Sequence, residues 1–314
     1  PADQLAYRGA RRYVASLRYG RDAPSQVGSR SGGRNAYMLQ PQPDGSWDRQ
    51  CIHRPWPQAG ELLVRLEHAD IEPALRHGAD GRAARLRMGV GEVECVGAGS
   101  EEFQAGMRVA FLATGSVCTH TLVASELAVP LPDGADPAQV AGLFPVIEAV
   151  FALRGQAGSP RGRSVLIRDM DGSGLAAVAA ARYLGMRVYA VVAPGLRDAY
   201  GACRLAGLFD AYAPGVDHVL KEATHGGVDM LLDVSGGWMP QGPCAVRGFG
   251  RIVMLSSRPT SRFEPPANVS VERIDIGAAL AAAPSLARAA LSELVGSIAQ
   301  GGLQRSLPDS LAGH

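Results

Sequence analysis

The residues best placed to do chemistry fall in one short turn. Between Ile167 and Leu175 the chain reads Arg168-Asp169-Met170-Asp171-Gly172-Ser173-Gly174, two carboxylates ahead of a glycine pair. Glycines at the start of a helix leave backbone N–H groups free, and such groups attract anions. Carboxylates at the same place compete with a phosphate or repel it. One carboxylate held out of water beside a dianion costs on the order of several kcal/mol. Two readings follow: Gly172, Ser173 and Gly174 still offer N–H groups to a pyrophosphate, or a scaffold is kept for packing and its ligand has been lost. Other reactive types are more scattered. Cys51-Ile52-His53 and Cys118-Thr119-His120 are isolated pairs, whereas catalytic zinc needs three convergent ligands. Alternation along a strand puts both members of such a pair on one face without any metal, so no metal site is expected. No G-x-S-x-G occurs, and Ser173 lies on a cofactor-style turn rather than a nucleophile elbow.

The turn is framed by elements that would hold it in place. An apolar run at Val165, Leu166 and Ile167 leads in. An alanine-rich helix over 175–184 follows, stops at Gly185, and feeds a second apolar run from Val188 to Val192. That is the strand–turn–helix–strand order of a dinucleotide-binding unit. No acidic residue ends the second strand, which favours NADP over NAD for any ligand bound there. Further along, helix near 197–206, a short strand near Ala211, and strands at Met230–Val234 and Arg251–Leu255 continue the alternation, which implies a parallel sheet covered by helices. Val269–Ile276 reads as one more strand, and 285–300 as an amphipathic helix with Leu286, Ala290, Leu294, Val295 and Ile298 on one face.

The first half has a different texture. Two short strands, 4–7 and 12–17, flank Gly9, and 19–36 is a Gly, Ser, Pro and Arg-rich loop. Strands at Leu62–Leu66, Gly91–Val96, Arg108–Leu112 and His120–Val123, with glycines between them, predict a compact antiparallel barrel. Asp136-Pro137 opens a helix as N-cap and first helical residue. The expected fold class is α/β: a barrel-like domain over 1–145, completed by 266–314, around a nucleotide-binding-type domain over 146–265.

Composition narrows the function classes. The 314 residues carry 31 basic and 30 acidic side chains, so there is no electrostatic case for nucleic acid or an anionic membrane. Five cysteines without a CxxC fit a reducing, cytoplasmic setting. The chain starts at Pro1 and not at Met, which is read as a piece of a longer polypeptide.

With these elements in order, D-Q-L-A-Y-R-G-A-R-R-Y-V-A-S-L (3–17), C-T-H-T-L-V-A-S-E-L-A-V-P-L-P-D-G (118–134), the 164–192 unit, G-V-D-M-L-L-D-V-S-G-G (227–237) and N-V-S-V-E-R-I-D-I (268–276) together resemble the enoyl-reductase domain of a polyketide synthase. The opening strand pair is most similar to the fungal, highly reducing kind. The resemblance covers most of the chain and implies a medium-chain dehydrogenase/reductase: a GroES-like barrel domain plus a Rossmann doubly wound parallel sheet. It implies NADPH as hydride donor and an enoyl thioester on an acyl carrier protein as substrate. Gly172, Ser173, Gly174 and Arg197 would be the cofactor-binding residues, with Arg197 facing the adenosine 2′-phosphate.

Four places depart from the family pattern. The family turn resembles A-G-G-V-G-x-A-A, and here it is one residue short with Asp171 at the first glycine. The 141–153 segment is about two residues shorter than the helix beside the nicotinamide, lacks its Thr and Tyr, and places Glu148 inside. Ser257 and Pro259 stand where the family carries a Lys and an Asp that are candidates for protonating the enolate. Without an acid there, a general-acid gain of roughly 10²–10⁴-fold is absent. The barrel loop 74–89 has no tyrosine and offers only His77 in its place. Zinc relatives' glycine-His-Glu is replaced by Gly89-Val90-Gly91-Glu92. Loss at all four argues for a single cause. The expectation is a non-catalytic enoyl-reductase domain with no catalytic residue and no cofactor, serving as a structural, homodimer-forming part of a synthase. An active NADPH-dependent enoyl reductase and a stand-alone quinone or alkenal reductase are the alternatives.

Overall fold

A computed structural model describes residues 5–8, 11–14, 35–41, 47–72, 85–113, 115–155, 160–234, 245–255 and 267–302. They belong to two compact units, one built from Pro1–Phe144 with Pro284–Gln300 and the other from Pro145–Ala283 with Gly301–Gly313.

The first unit is antiparallel. Strands β1 (Leu5–Arg8) and β2 (Arg11–Val14) pair with each other, as do β3 (Asn35–Pro41) and β4 (Trp47–His53). Strands β5 (Glu61–Glu72), β6 (Arg85–Val96), β7 (Arg108–Leu112), β8 (His120–Ala124) and β9 (Ala128–Pro130) form a sheet in the order β8-β5-β6-β7-β9. Alternate residues of these strands, Leu62, Val64, Val93, Val109, Phe111 and Val123, meet in one buried core, as the period-2 pattern requires. Helix α1 (Pro137–Ala141) starts as expected, with Asp136 accepting from the Ala138 N–H at 3.0 Å.

The second unit opens with α2 (Phe144–Arg154) and winds a parallel sheet. Its strands are β10 (Ser164–Asp169), β11 (Arg187–Val192), β12 (Gly207–Asp210), β13 (Val228–Asp233), β14 (Val246–Leu255) and β15 (Ser270–Ile274). Helices α3 (Leu175–Tyr183), α4 (Arg197–Gly201) and α5 (Val216–Ala223) connect the early strands, and α6 (Ile276–Ala282) follows the last. The order β12-β11-β10-β13-β14-β15, with every neighbour parallel, reverses direction between β10 and β13. Ligands of doubly wound sheets bind at the carboxyl ends of the strands, at such a reversal.

Two boundaries differ from the sequence reading. Val271 and its neighbours extend the parallel ladder beside Ile252, so β15 and α6 stay in the second unit and the chain re-enters the first at Pro284 rather than at 266. In α7 (Pro284–Ala299) the buried stripe is Ala287, Ala290, Leu291, Leu294, Val295 and Ile298. Leu286, expected on that stripe with Ala290, Leu294, Val295 and Ile298, is exposed, because it lies about 100° round the helix from Ala287 and falls off the face that Ala287, Leu291, Leu294 and Ile298 share.

Candidate functional site

The carboxyl end of β10 gathers the residues the sequence singled out. Asp169 is the last residue of that strand and is fully buried. Its Oδ1 accepts the N–H groups of Asp171 (3.1 Å) and Gly172 (2.9 Å). Its Oδ2 accepts the N–H of Gly174 at 2.9 Å and the hydroxyl of Tyr200 at 2.5 Å. Asp171 serves the remaining amide: its Oδ1 accepts Ser173 N–H at 3.1 Å and Ser173 Oγ–H at 2.6 Å. Gly172 sits at φ +94°, a conformation glycine adopts without strain. Gly174 is fixed by crowding instead. A Cβ there would lie 2.4 Å from the Tyr200 hydroxyl and 2.9 Å from Asp169 Cβ.

Electrostatics follow from this wiring. Burial pushes the Asp169 carboxyl above the usual carboxylate range, while hydrogen bonds from Tyr200, Gly174, Asp171 and Gly172 pull it back down. Tyr200 is pushed far above a normal phenol, first by burial and then by the Asp169 charge. The tyrosine therefore stays a hydroxyl donor at any physiological pH. Next to Asp169 on the same strand, Arg168 is the register partner of Asp233 on β13. Their side chains approach to 3.5 Å and are 3% and 1% exposed. A buried pair of this kind sits where the strand order reverses.

A pyrophosphate needs free N–H donors at this turn. The amides of Gly172, Ser173 and Gly174 lie in one turn, but each already donates to a carboxylate of the chain. A dianion seated on them would have to displace Asp169 and Asp171 and then remain beside them. The turn as arranged does not fit that group. Arg197, the fourth sequence-assigned residue, is the first residue of α4 and is exposed.

Elsewhere the assigned residues are apart. Glu148 lies in α2, half-buried and engaged with other groups. Cys51 and His53 are exposed on β4. Cys118 is half-buried, and burial pushes its thiol up, away from the thiolate a metal would want. His120 Nε2 lies 3.4 Å from Glu94. Burial lowers its pKa, Glu94 raises it, and Arg54 and Arg65 lower it further. Among the described residues no three His, Cys, Asp or Glu side chains are grouped to hold a metal. Gly91 allows a close strand crossing, since a Cβ there would meet Arg65 O at 2.2 Å, and Glu92 pairs with Arg65. His77, Ser257 and Pro259 lie outside the described residues. Sequence reasoning missed Tyr200, whose only local signal is its place three residues after Arg197 on a short helix.

No protein-family model matches the chain. Its fold is that of the medium-chain dehydrogenase/reductase superfamily. The crystal structure of CurK enoyl reductase matches at a TM-score of 0.71 and 19% identity, over 85% of this chain and 89% of that one. A mycobacterial protein solved in complex with NADPH matches at a TM-score of 0.66 and 20% identity, over 89% and 96% of the two chains. Sequence relatives are of more than one kind, and a prostaglandin reductase-3 of Bos taurus, 26% identical over 230 residues, 69% of this chain and 60% of that one, is among them. The chain is 30% identical over 195 residues, 60% of its length, to a highly reducing polyketide synthase of Purpureocillium lilacinum. That stretch is 8% of the synthase, so the chain spans a small fraction of this relative's length. Taken together, the chain is similar in sequence to part of a highly reducing polyketide synthase and in fold to solved enoyl reductases.

Proposed function

We propose that this chain is a catalytically silent enoyl-reductase domain, kept as a structural and dimer-forming part of a polyketide synthase. The observation that carries the reading is the occupied turn: Asp169 and Asp171 hold the N–H groups of Gly172, Ser173 and Gly174 that a pyrophosphate would need. The substitution of Ser257 and Pro259 for an acid near the substrate points the same way. Its partners would be the other domains of the same synthase, an acyl carrier protein among them, and a second copy of the chain. Among the described residues β15 is one edge of the parallel sheet and β12 the other, and an exposed edge strand is a hazard unless it is paired or covered. Pairing two such edges gives the strand a use that survives the loss of catalysis. The alternative, an active reductase drawing on NADPH, is supported by the NADPH-bound structural neighbour and requires the turn to rearrange.

The deciding experiment is calorimetric titration of the domain with NADPH near physiological salt. The expected result is no saturation below about 1 mM. A dissociation constant of a few micromolar, on the order of −7 kcal/mol, would overturn the silent reading and restore the active one.

A further inference from the structure

The two edges of the parallel sheet are charged oppositely. At the carboxyl ends of β10 to β13 and in the turns just beyond stand Asp169, Asp171, Asp198, Asp210 and Asp233, with Arg168 and Arg197 among them. At the amino ends stand Arg163, Arg187, Arg204 and Arg247, with Asp229 between them. Register fixes this placement. Ser164 pairs with Arg187, and Val228 pairs with Val246. The anion-attracting end of this sheet is therefore the end opposite the dinucleotide crevice.

That amino edge carries a cleft of about 370 Å³ lined by Gly162, Arg163, Asp229, Arg247, Gly248 and Phe249. Asp229 does not face a ligand as a free charge. Its Oδ2 accepts the N–H and the hydroxyl of Ser164, each at 2.7 Å, and its Oδ1 pairs with Arg247. It orients the arginine. Phe249 is 92% exposed and sits at φ +62°, a left-handed conformation that is costly for a bulky side chain. Its N–H donates to Asn268 O at 2.7 Å, and Asn268 is itself left-handed at φ +60°. The next residue, Gly250, is tight: a Cβ there would lie 2.5 Å from Val246 Cγ1. The backbone is thus held in a strained form that turns an aromatic ring into water beside two guanidinium groups.

We propose that this edge docks an acidic protein segment carrying an apolar side chain. Its carboxylates would meet Arg163 and Arg247 in bidentate fashion, and its apolar group would cover the Phe249 ring. Aromatic and arginine side chains together are the usual anchors of a protein interface. A small inorganic anion would use the arginines and leave the ring unexplained. This docking stands whether or not the domain binds NADPH.

The test uses the whole chain and a fluorescein-labelled peptide of four Glu-Glu-Leu repeats, read by anisotropy at low salt. Saturable binding is expected. It should weaken about tenfold in Arg163→Glu and about fivefold in Phe249→Gly, and by a similar factor when Ser replaces Leu in the peptide. Phe249→Gly also relieves the left-handed strain, so its melting temperature should rise while binding falls; an interface residue shows that split and a packing residue does not. Arg247→Gln serves as a second variant should Arg163→Glu melt early. Absence of saturable binding would overturn the proposal, as would binding indifferent to Arg163 and Phe249. Tighter binding to phosphatidylserine vesicles than to the peptide would assign the edge to a lipid surface and overturn it too.

Discussion

Asp169 and Asp229 stand at opposite ends of the same parallel sheet, and their surroundings push their carboxyl groups in opposite directions. Both accept two or more hydrogen bonds from the chain. Asp169 is fully buried, and desolvation outweighs the three amides and the tyrosine that serve it, so its pKa rises. Around Asp229 burial also raises the pKa, but the Ser164 N–H and hydroxyl together with the charges of Arg247 and Arg163 outweigh it, and the pKa falls. The difference lies first in depth: Asp169 is fully buried and Asp229 only half-buried, so desolvation weighs less on Asp229, and the Ser164 donors, with the arginine charges behind them, outweigh it. One end of the sheet is a closed polar knot; the other is an ion-paired rim.

The sharpest way to break this comparison is Asp169→Ala. It strips the partner from three turn amides and the Tyr200 hydroxyl at once, and buried donors left unmade cost about 1–3 kcal/mol each where water cannot reach them. A net loss of about 3 kcal/mol is expected from urea unfolding. A loss under about 1 kcal/mol would mean that water replaces the carboxylate and that the knot is loose. Next in size is Gly174→Ala. The backbone there, at φ −83°, suits alanine, so any penalty must come from the new methyl's contacts with Tyr200 and Asp169. About 2 kcal/mol is expected, with Tyr200→Phe in the same chain recovering part of it.

The smallest effect has a sign that separates the two ends. The folded pKa of Asp229 is below its ordinary 3.8, so its contribution is present above that value and lost as pH falls through the folded pKa. The folded pKa of Asp169 is above 3.8, so its contribution is present below that value and lost as pH rises through the folded pKa. Melting curves between about pH 3 and pH 7 should therefore show a shallower acid limb in Asp229→Asn than in the parent. An unchanged acid limb would remove Asp229 from the rim's ion-paired network.

Much of the second unit was readable in the sequence because parallel strands buried on both faces appear as unbroken apolar runs. Val165–Ile167 and Val188–Val192 are two such runs, and both lie within observed strands. Strands β3 and β4 were not foreseen. Neither N-A-Y-M-L-Q-P nor W-D-R-Q-C-I-H has clean alternation, and their pairing is with each other rather than with the main sheet. At the site, two aspartates ahead of a glycine pair were legible as carboxylates in a turn that leads into a helix. Sequence could not show that they ligate the turn themselves, since that depends on side-chain direction at the end of β10. Tyr200 was hidden for a related reason: it lies 31 residues from Asp169 and is brought there only by the fold.

The turn also has a consequence for competition. Asp169 lies two to five residues from the amides it holds, so its carboxylate is tethered to them by a few rigid bonds. A tethered group acts at an effective concentration of at least millimolar, and far more when it is well oriented. A dissolved anion is set against that fixed local concentration whatever the dilution of the protein. Dialysis, which can empty an ordinary ligand site, leaves this one filled.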